Sequence, residues 1–541
     1  MSLSTCSTEI LDNICDKLRD KTSIKNVMQT CSRLYQIARP KLFRDLEIQN
    51  WDGMAFRSDI LTLPDEDHRI IEPGTMPEQN TEDMIVSVLS GKHLAPQVKS
   101  LKVFRARRDI SLEASQGAIS VFYSAFLRPA VSRLAEPFLR KWTNSDREYD
   151  CWMYKLMVGH KKLEHDDACL ALLLTALPKL ESLTLQIAST GQCEYDGNRI
   201  LELSECWTLQ IIDRVLAAPH LAMSTPLCNL RELCISGDCS PKDPGNPLEL
   251  DYYSSVNKAF SIASRLPRLE SLCIHRGILY SGDDELLPEL PVTCTRLELN
   301  ACRHQHDLSD VTEMLTACAP LKTFVFRPTA AWYCRPDGIP QKTNRPLRRD
   351  ALFAAIAVQA QNLENLVIEV QGRHWARLPY DEGEEIPLLR LSTVKRLSID
   401  SQLLMNISLP AKSILPALQE LRLTTSYHTT EQIERVQTLM KGELPGLDLV
   451  VVEFPRDHVS RPMPHMRLAR YAKKLEYLDV ARANGLKMVL LENQEVSTTD
   501  GREHFDLVLP EFLRKGRREM NVWGVTEGLE KGWKELTIVD L

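Results

Sequence analysis

One nine-residue pattern, apolar-x-x-apolar-x-apolar behind a Leu-Pro or a small residue, constrains this chain more than any other feature. It reads LPKLESLTL at 177–185, LPRLESLCI at 266–274 and LPALQELRL at 415–423. Looser copies are LCNLRELCI (227–235), CAPLKTFVF (318–326), AQNLENLVI (360–368), LSTVKRLSI (391–399) and AKKLEYLDV (472–480). PVTCTRLEL (291–299) and APQVKSLKV (95–103) also fit, and KGWKELTIV stands near the C-terminus. The last two apolar residues alternate, so a short strand points both to one side, and the earlier one turns the incoming chain onto the same core. Helix-like stretches precede the pattern at Asp166–Leu177, Val256–Leu266, Val311–Cys318 and Arg349–Ala360, and Pro178, Pro267, Pro320 and Pro416 stop them. Helix, proline turn and short strand in succession predict an α/β chain whose segments bury their apolar sides by stacking on neighbours.

The spacing between equivalent apolar residues is 25 from Leu272 to Leu297, 27 to Phe324, 42 to Leu366, 31 to Leu397 and 24 to Leu421. These values bracket the ~20–29-residue period of leucine-rich repeats, with insertions. From Leu101 to Leu183 the gap is 82 residues, which predicts a helical insertion near 111–162. The 57 residues from Leu421 to Leu478 leave room for an irregular unit at LDLVVVEF (447–454). The expected fold is an irregular leucine-rich-repeat solenoid over 95–541, a curved parallel sheet with helices outside. Leu297-x-Leu299-x-x-Cys302 and Cys318-Ala-Pro-Leu321 resemble the cysteine-containing subfamily of these repeats. Thr184, Cys234, Cys273, Glu298, Ser398, Arg422 and Asp479 stand between two core residues, where they would line the concave face and meet a partner protein.

Residues 1–48 are different in kind. Ile10, Leu11, Ile14 and Leu18 share one helical face, with Thr8 as N-cap and Glu9 in the first turn. A second apolar helix carries Ile24, Val27, Met28, Cys31, Leu34, Tyr35 and Ala38 and ends at Pro40, and Leu42–Ile48 reads as a strand. Residues 49–94 read as an acidic linker or an irregular first repeat. The arrangement resembles an F-box, especially the fungal form that opens a leucine-rich-repeat chain. Glu9-Ile10-Leu11, Ile14, Leu18, Ile24, Val27, Cys31-Ser32-Arg33-Leu34-Tyr35 and Leu42-Phe43 carry the resemblance. It implies the substrate-recognition subunit of a Skp–cullin–F-box ubiquitin ligase. The box would meet the Skp adaptor, and through it a cullin, while the repeats hold the protein to be ubiquitinated. Catalysis would belong to other subunits. The family usually has Leu-Pro shortly before the Glu, where this chain has Cys6 and Ser7. That departure leaves a second reading, a repeat scaffold whose degenerate box does not bind the adaptor. A plain helical cap on the first repeat is a third.

Composition narrows the remaining classes. With 66 Lys+Arg against 73 Asp+Glu the formal net charge is -7, which argues against a chain-wide grip on nucleic acid. Basic clusters at Arg105/Arg107/Arg108, Arg345/Arg348/Arg349 and Arg514/Lys515/Arg517/Arg518 read as solvated faces. No P-loop, GxSxG, HExxH or GxGxxG string occurs, so no enzyme chemistry and no cofactor are expected. Cys302-x-His304-x-His306 lacks the fourth ligand of a structural zinc site, and Glu164-His165-Asp166-Asp167 reads as the start of a helix. The longest apolar stretch, Ala168–Leu177 interrupted by Thr175, is far below the ~20 residues of a membrane span. Without an export signal, the odd fifteen cysteines are expected to be reduced thiols in a cytoplasmic or nuclear protein.

Overall fold

The structure is a computed structural model that describes residues 6–18, 21–50, 88–90, 94–105, 131, 133–157, 162–186, 207–217, 226–236, 254–275, 277–278, 291–302, 308–328, 332–334, 340–342, 349–368, 391–400, 415–424, 444, 446–455, 487–493 and 535–538. It divides into two compact bodies, Met1–Asp238 with Arg265–Leu269, and Cys239–Ser264 with Glu270–Leu541. Each is α/β, with parallel strands drawn from the repeated segments.

In the first body, three helices, α1 (Thr8–Lys17), α2 (Lys21–Met28) and α3 (Ser32–Leu42), lead into strands β1 (Asp45–Asn50), β2 (Ser100–Arg105), β3 (Ser182–Gln186) and β4 (Glu232–Ser236). The four strands pair in parallel in chain order. Leu101, Leu183 and Leu233 stand in one row and Val103, Leu185 and Ile235 in the next, all buried. The expected helical insertion is helical where described, at 133–142 and Asp146–Met157. Ser145 caps its second helix: Glu148 N–H donates to Ser145 Oγ at 3.3 Å, and Glu148 Oε2 accepts the N–H of Asn144, the residue before the cap, at 2.9 Å. Helix Lys162–Thr175 is apolar on every side from Ala168 to Leu174 and buried there, as such a helix must be. Helix Trp207–Ala217 went unpredicted, although Ile211, Ile212 and Val215 give it a helical stripe.

The second body takes strands β6 (Ser271–His275), β8 (Arg296–Cys302), β9 (Thr323–Pro328), β12 (Asn365–Ile368), β13 (Arg396–Asp400), β14 (Glu420–Thr424), β15 (Leu449–Pro455) and β16 (Lys487–Asn493), each parallel to the next. Strand β17 (Glu535–Ile538) closes the series antiparallel to β16. Two small ladders stand apart, β5 (Ser254–Ser255) with β7 (Gly277–Ile278), and β10 (Trp332–Cys334) with β11 (Pro340–Lys342). Helices Val256–Ser264, Ser309–Thr316 and Arg349–Ala357 precede their strands within a few residues of the expected bounds. The irregular segment at 447–454 supplies β15. The segment 472–480 lies outside the described residues.

A backbone joint links consecutive strands within each body. Arg44 C=O accepts both Lys99 N–H (2.9 Å) and Ser100 N–H (3.1 Å), and Lys99 C=O accepts Glu181 N–H and Ser182 N–H. Glu181 repeats this in the first body, and Glu270, Thr295, Lys322, Glu364, Lys395 and Gln419 repeat it in the second. The leucine turn ahead of the strand mostly closes on itself, with Leu230 N–H on Leu227 C=O, Val394 on Leu391, Leu418 on Leu415 and Leu447 on Leu444.

Candidate partner-binding surfaces

The N-terminal helices fold around a small core of their own. Leu11, Cys15, Ile24, Leu34 and Ala38 are buried, with Cys6, Leu18, Val27, Met28, Ile37 and Leu42 packed partly against them. Ser7 rather than Thr8 is the N-cap: its extended backbone leaves Oγ to accept Ile10 N–H at 3.4 Å. The Thr8 hydroxyl instead accepts from Arg33 Nη2 at 3.0 Å. The backbone N–H of Glu9 itself, the Ser7 hydroxyl and the Arg33 charge hold the Glu9 carboxyl below its usual range.

The single second helix expected from 24 to 38 is two, α2 and α3. The chain turns at Gln29–Cys31, where the Thr30 hydroxyl donates to Val27 C=O at 2.8 Å. Pro40 does not end α3, which runs to Leu42. A proline in the last turn removes little of the ladder, and the chain then tightens with Phe43 N–H on Pro40 C=O and Arg44 N–H on Lys41 C=O. The strand accordingly starts at Asp45 and not at Leu42. Lys41 ties α3 to α1 through Asp12 at 3.0 Å and Asp16 at 2.5 Å.

These helices divide the ten expected adaptor residues by role. Leu11, Ile24 and Leu34 are core, and Leu18 and Val27 are half-buried. Glu9, Ile10, Ile14, Cys31 and Tyr35 are exposed. Ile10 at 52%, Ile14 at 41% and Tyr35 at 43% are among the few large apolar side chains that the described residues leave in water. Burying any of them on a partner would recover about 1.5–3 kcal/mol of apolar transfer.

The strand row expected to face solvent does not. Thr184 and Cys234 stand side by side in the first body. In the second, Cys273, Glu298, Val325, Val367, Ser398, Arg422 and Val451 follow one another in register. None of the six described candidates is more than 9% exposed, so this row is covered within the chain itself; Asp479 lies outside the described residues. Period-two alternation tells which side a residue takes, and not whether that side is covered.

The buried row carries a polar network. Arg296 Nε meets Glu298 Oε1 at 2.5 Å, Asn300 Nδ2 reaches Glu298 Oε2 and Cys273 Sγ at 3.5 Å each, and Arg327 Nη1 donates to Asn300 Oδ1 at 3.0 Å. His275, Asn300 and Arg327, all buried, stand two positions beyond the expected row and went unpredicted. Farther along, burial pushes the Glu420 carboxyl up against the opposing pull of Arg396 and Arg422. Cys302 ends β8 buried, its thiol on Ile274 C=O at 3.5 Å, and His304 and His306 lie outside the described residues. Among the described residues no three His, Cys, Asp or Glu side chains gather to hold a metal, and no helix is long and apolar enough to cross a membrane. Compared with protein-family models and with curated proteins, the chain matches none.

Proposed function

We propose that this chain is a substrate receptor of a Skp–cullin–F-box ubiquitin ligase, built as an F-box followed by an irregular leucine-rich-repeat solenoid. One observation carries the reading: Ile10, Ile14 and Tyr35 stay in water on a helical unit whose core is already closed by Leu11, Ile24 and Leu34. Such residues suit docking into a partner's apolar groove, here that of the Skp adaptor. The chain itself performs no reaction. It raises the effective concentration of its target near the charged ubiquitin carrier. With the central strand row buried, target recognition falls to exposed positions beside it, such as Lys395 and Arg396.

A second reading rests on Cys6 and Ser7. Cys6 packs on the helical core and Ser7 caps α1, so both positions serve the fold where the family offers Leu-Pro. On this reading the chain is a protein-interaction scaffold that leaves the adaptor unbound.

Co-expression of the full chain with a Skp adaptor separates the two. The receptor co-elutes with the adaptor, and Ile10→Asp/Ile14→Asp abolishes co-elution while helical circular dichroism is unchanged. A parent chain that does not co-elute sinks the receptor reading and leaves the scaffold.

A further inference from the structure

Leucine is the commonest residue at two positions of the template: the one that opens the turn, as Leu177 and Leu266, and the one three residues on, as Leu180 and Leu269. In the neighbouring segments 291–299 and 318–326 one of each is a cysteine. Cys294 takes the second position and Cys318 the first. Strands β8 and β9 lie side by side, and a parallel bridge joins the turns ahead of them. Val292 N–H donates to Ala317 C=O at 3.0 Å, and Ala319 N–H to Val292 C=O at 2.8 Å, framing Cys318. Cys294 is 0% and Cys318 7% exposed, and the two thiols are close enough to shift each other's titration. Their interaction holds the Cys294 thiol below its ordinary value and, with burial, pushes the Cys318 thiol above it. Both cysteines are free thiols in this structure.

We propose that Cys294 and Cys318 are a dithiol switch that closes to a disulfide between two consecutive strand segments when the chain meets an oxidant of the peroxide class. The Cys294 sulfur attacks a peroxide oxygen, the S–O bond forms as the O–O bond breaks, and the departing hydroxide takes the Cys294 thiol proton to become water. The Cys318 sulfur then attacks the sulfenic sulfur. The S–S bond forms, the S–O bond breaks, and the leaving hydroxide takes the Cys318 proton as a second water. Two thiols and one peroxide thus give one disulfide and two waters. Burial makes the step wait on local opening, so it runs behind oxidation of the exposed Cys31 and Cys151. The product ties the turn ahead of β8 to the turn ahead of β9 covalently and removes chain entropy from the unfolded state.

The test is peroxide treatment of the full native chain, quenched by alkylation, followed by unfolding in alkylating agent and peptide mass mapping. The expected product is a Cys294–Cys318 peptide pair, two hydrogens lighter than the free peptides, lost on reduction and accompanied by a higher melting temperature. Cys294→Ser and Cys318→Ser each abolish that species. Two thiols still free after Cys31 and Cys151 are fully oxidised overturn the proposal. So does a main product that joins either sulfur to another cysteine. Both readouts come from the parent chain and stand even if a serine variant fails to fold.

Discussion

The Oε1 of Gln359 accepts the Leu321 backbone N–H at 3.0 Å, from a position 38 residues along the chain. Its Nε2 donates to Leu315 C=O at 2.7 Å and to Cys318 C=O at 3.3 Å. In sibling turns the corresponding N–H closes on the carbonyl three residues back, as Leu418 does on Leu415. Here a side chain from the turn that follows helix Arg349–Ala357 is inserted and satisfies both halves. Gln359→Ala orphans a buried donor and a buried acceptor, at a cost of about 2 kcal/mol or more. Gln359→Leu, which keeps the volume, is expected to be no better. Urea denaturation of both variants decides between lost hydrogen bonds and lost packing.

Neighbours in sequence, Ile10 and Leu11 differ in consequence. Leu11 is 1% exposed and Ile10 52%. Leu11→Asp buries an unpaired carboxylate and is expected to unfold the three helices, visible as lost helical dichroism. Ile10→Asp changes stability by less than about 0.5 kcal/mol and leaves the helical dichroism intact. Equal helix loss in both variants would refute this division.

Ser7→Ala removes the hydroxyl that accepts Ile10 N–H and is expected to cost about 1 kcal/mol of helical stability. Ser7→Asp, which keeps an acceptor and adds negative charge at the helix start, restores it. Thermal unfolding of the series checks the order, and a Thr8→Ala variant that costs more than Ser7→Ala contradicts the assignment of the cap.

Glu420 gives a pH dependence of definite sign. Its folded carboxyl holds a proton more tightly than the unfolded one, because burial outweighs Arg396 and Arg422. Stability therefore falls as pH rises from the ordinary carboxylate value through the raised folded value, and the cost is fully present above it. Among the described residues Glu420 Oε1 has no hydrogen-bond partner, which adds to the cost of the charged form. Glu420→Gln is expected to be more stable than the parent at about pH 7, with the gap closing by about pH 4. A gap that widens on acidification contradicts the sign.

Much of the strand series was legible because a single register repeats. Leu272, Leu297, Phe324, Leu366, Leu397 and Leu421 stand in one row, and the apolar spacing alone sets that row. The helices ahead of Pro178 and Pro267 were legible for the same reason, since proline marks their stops. The break at Gln29–Cys31 carries no glycine or proline, and Pro40 lies inside a helix, so local signals misled there. Burial of Glu298 and Arg422 depends on what covers the row, which no alternation encodes. The inserted amide of Gln359 spans a distance in sequence that only the fold brings together. Cys294 and Cys318 could have been read from alignment of the segments, since both stand where leucine is the commonest residue.

The joint that begins at Arg44 C=O and recurs from Lys99 to Gln419 is made of main chain alone. Its acceptors include arginine, lysine, glutamate, threonine and glutamine, so a joint demands almost nothing of the side chain that hosts it. Segments of very different length meet through the same connection. In genetic terms the chain is modular: an in-frame duplication or deletion of one segment regenerates the joint at the new boundary without compensating substitutions. Lineages of such a chain are then free to vary in length faster than in local geometry, while the stacking rule stays fixed.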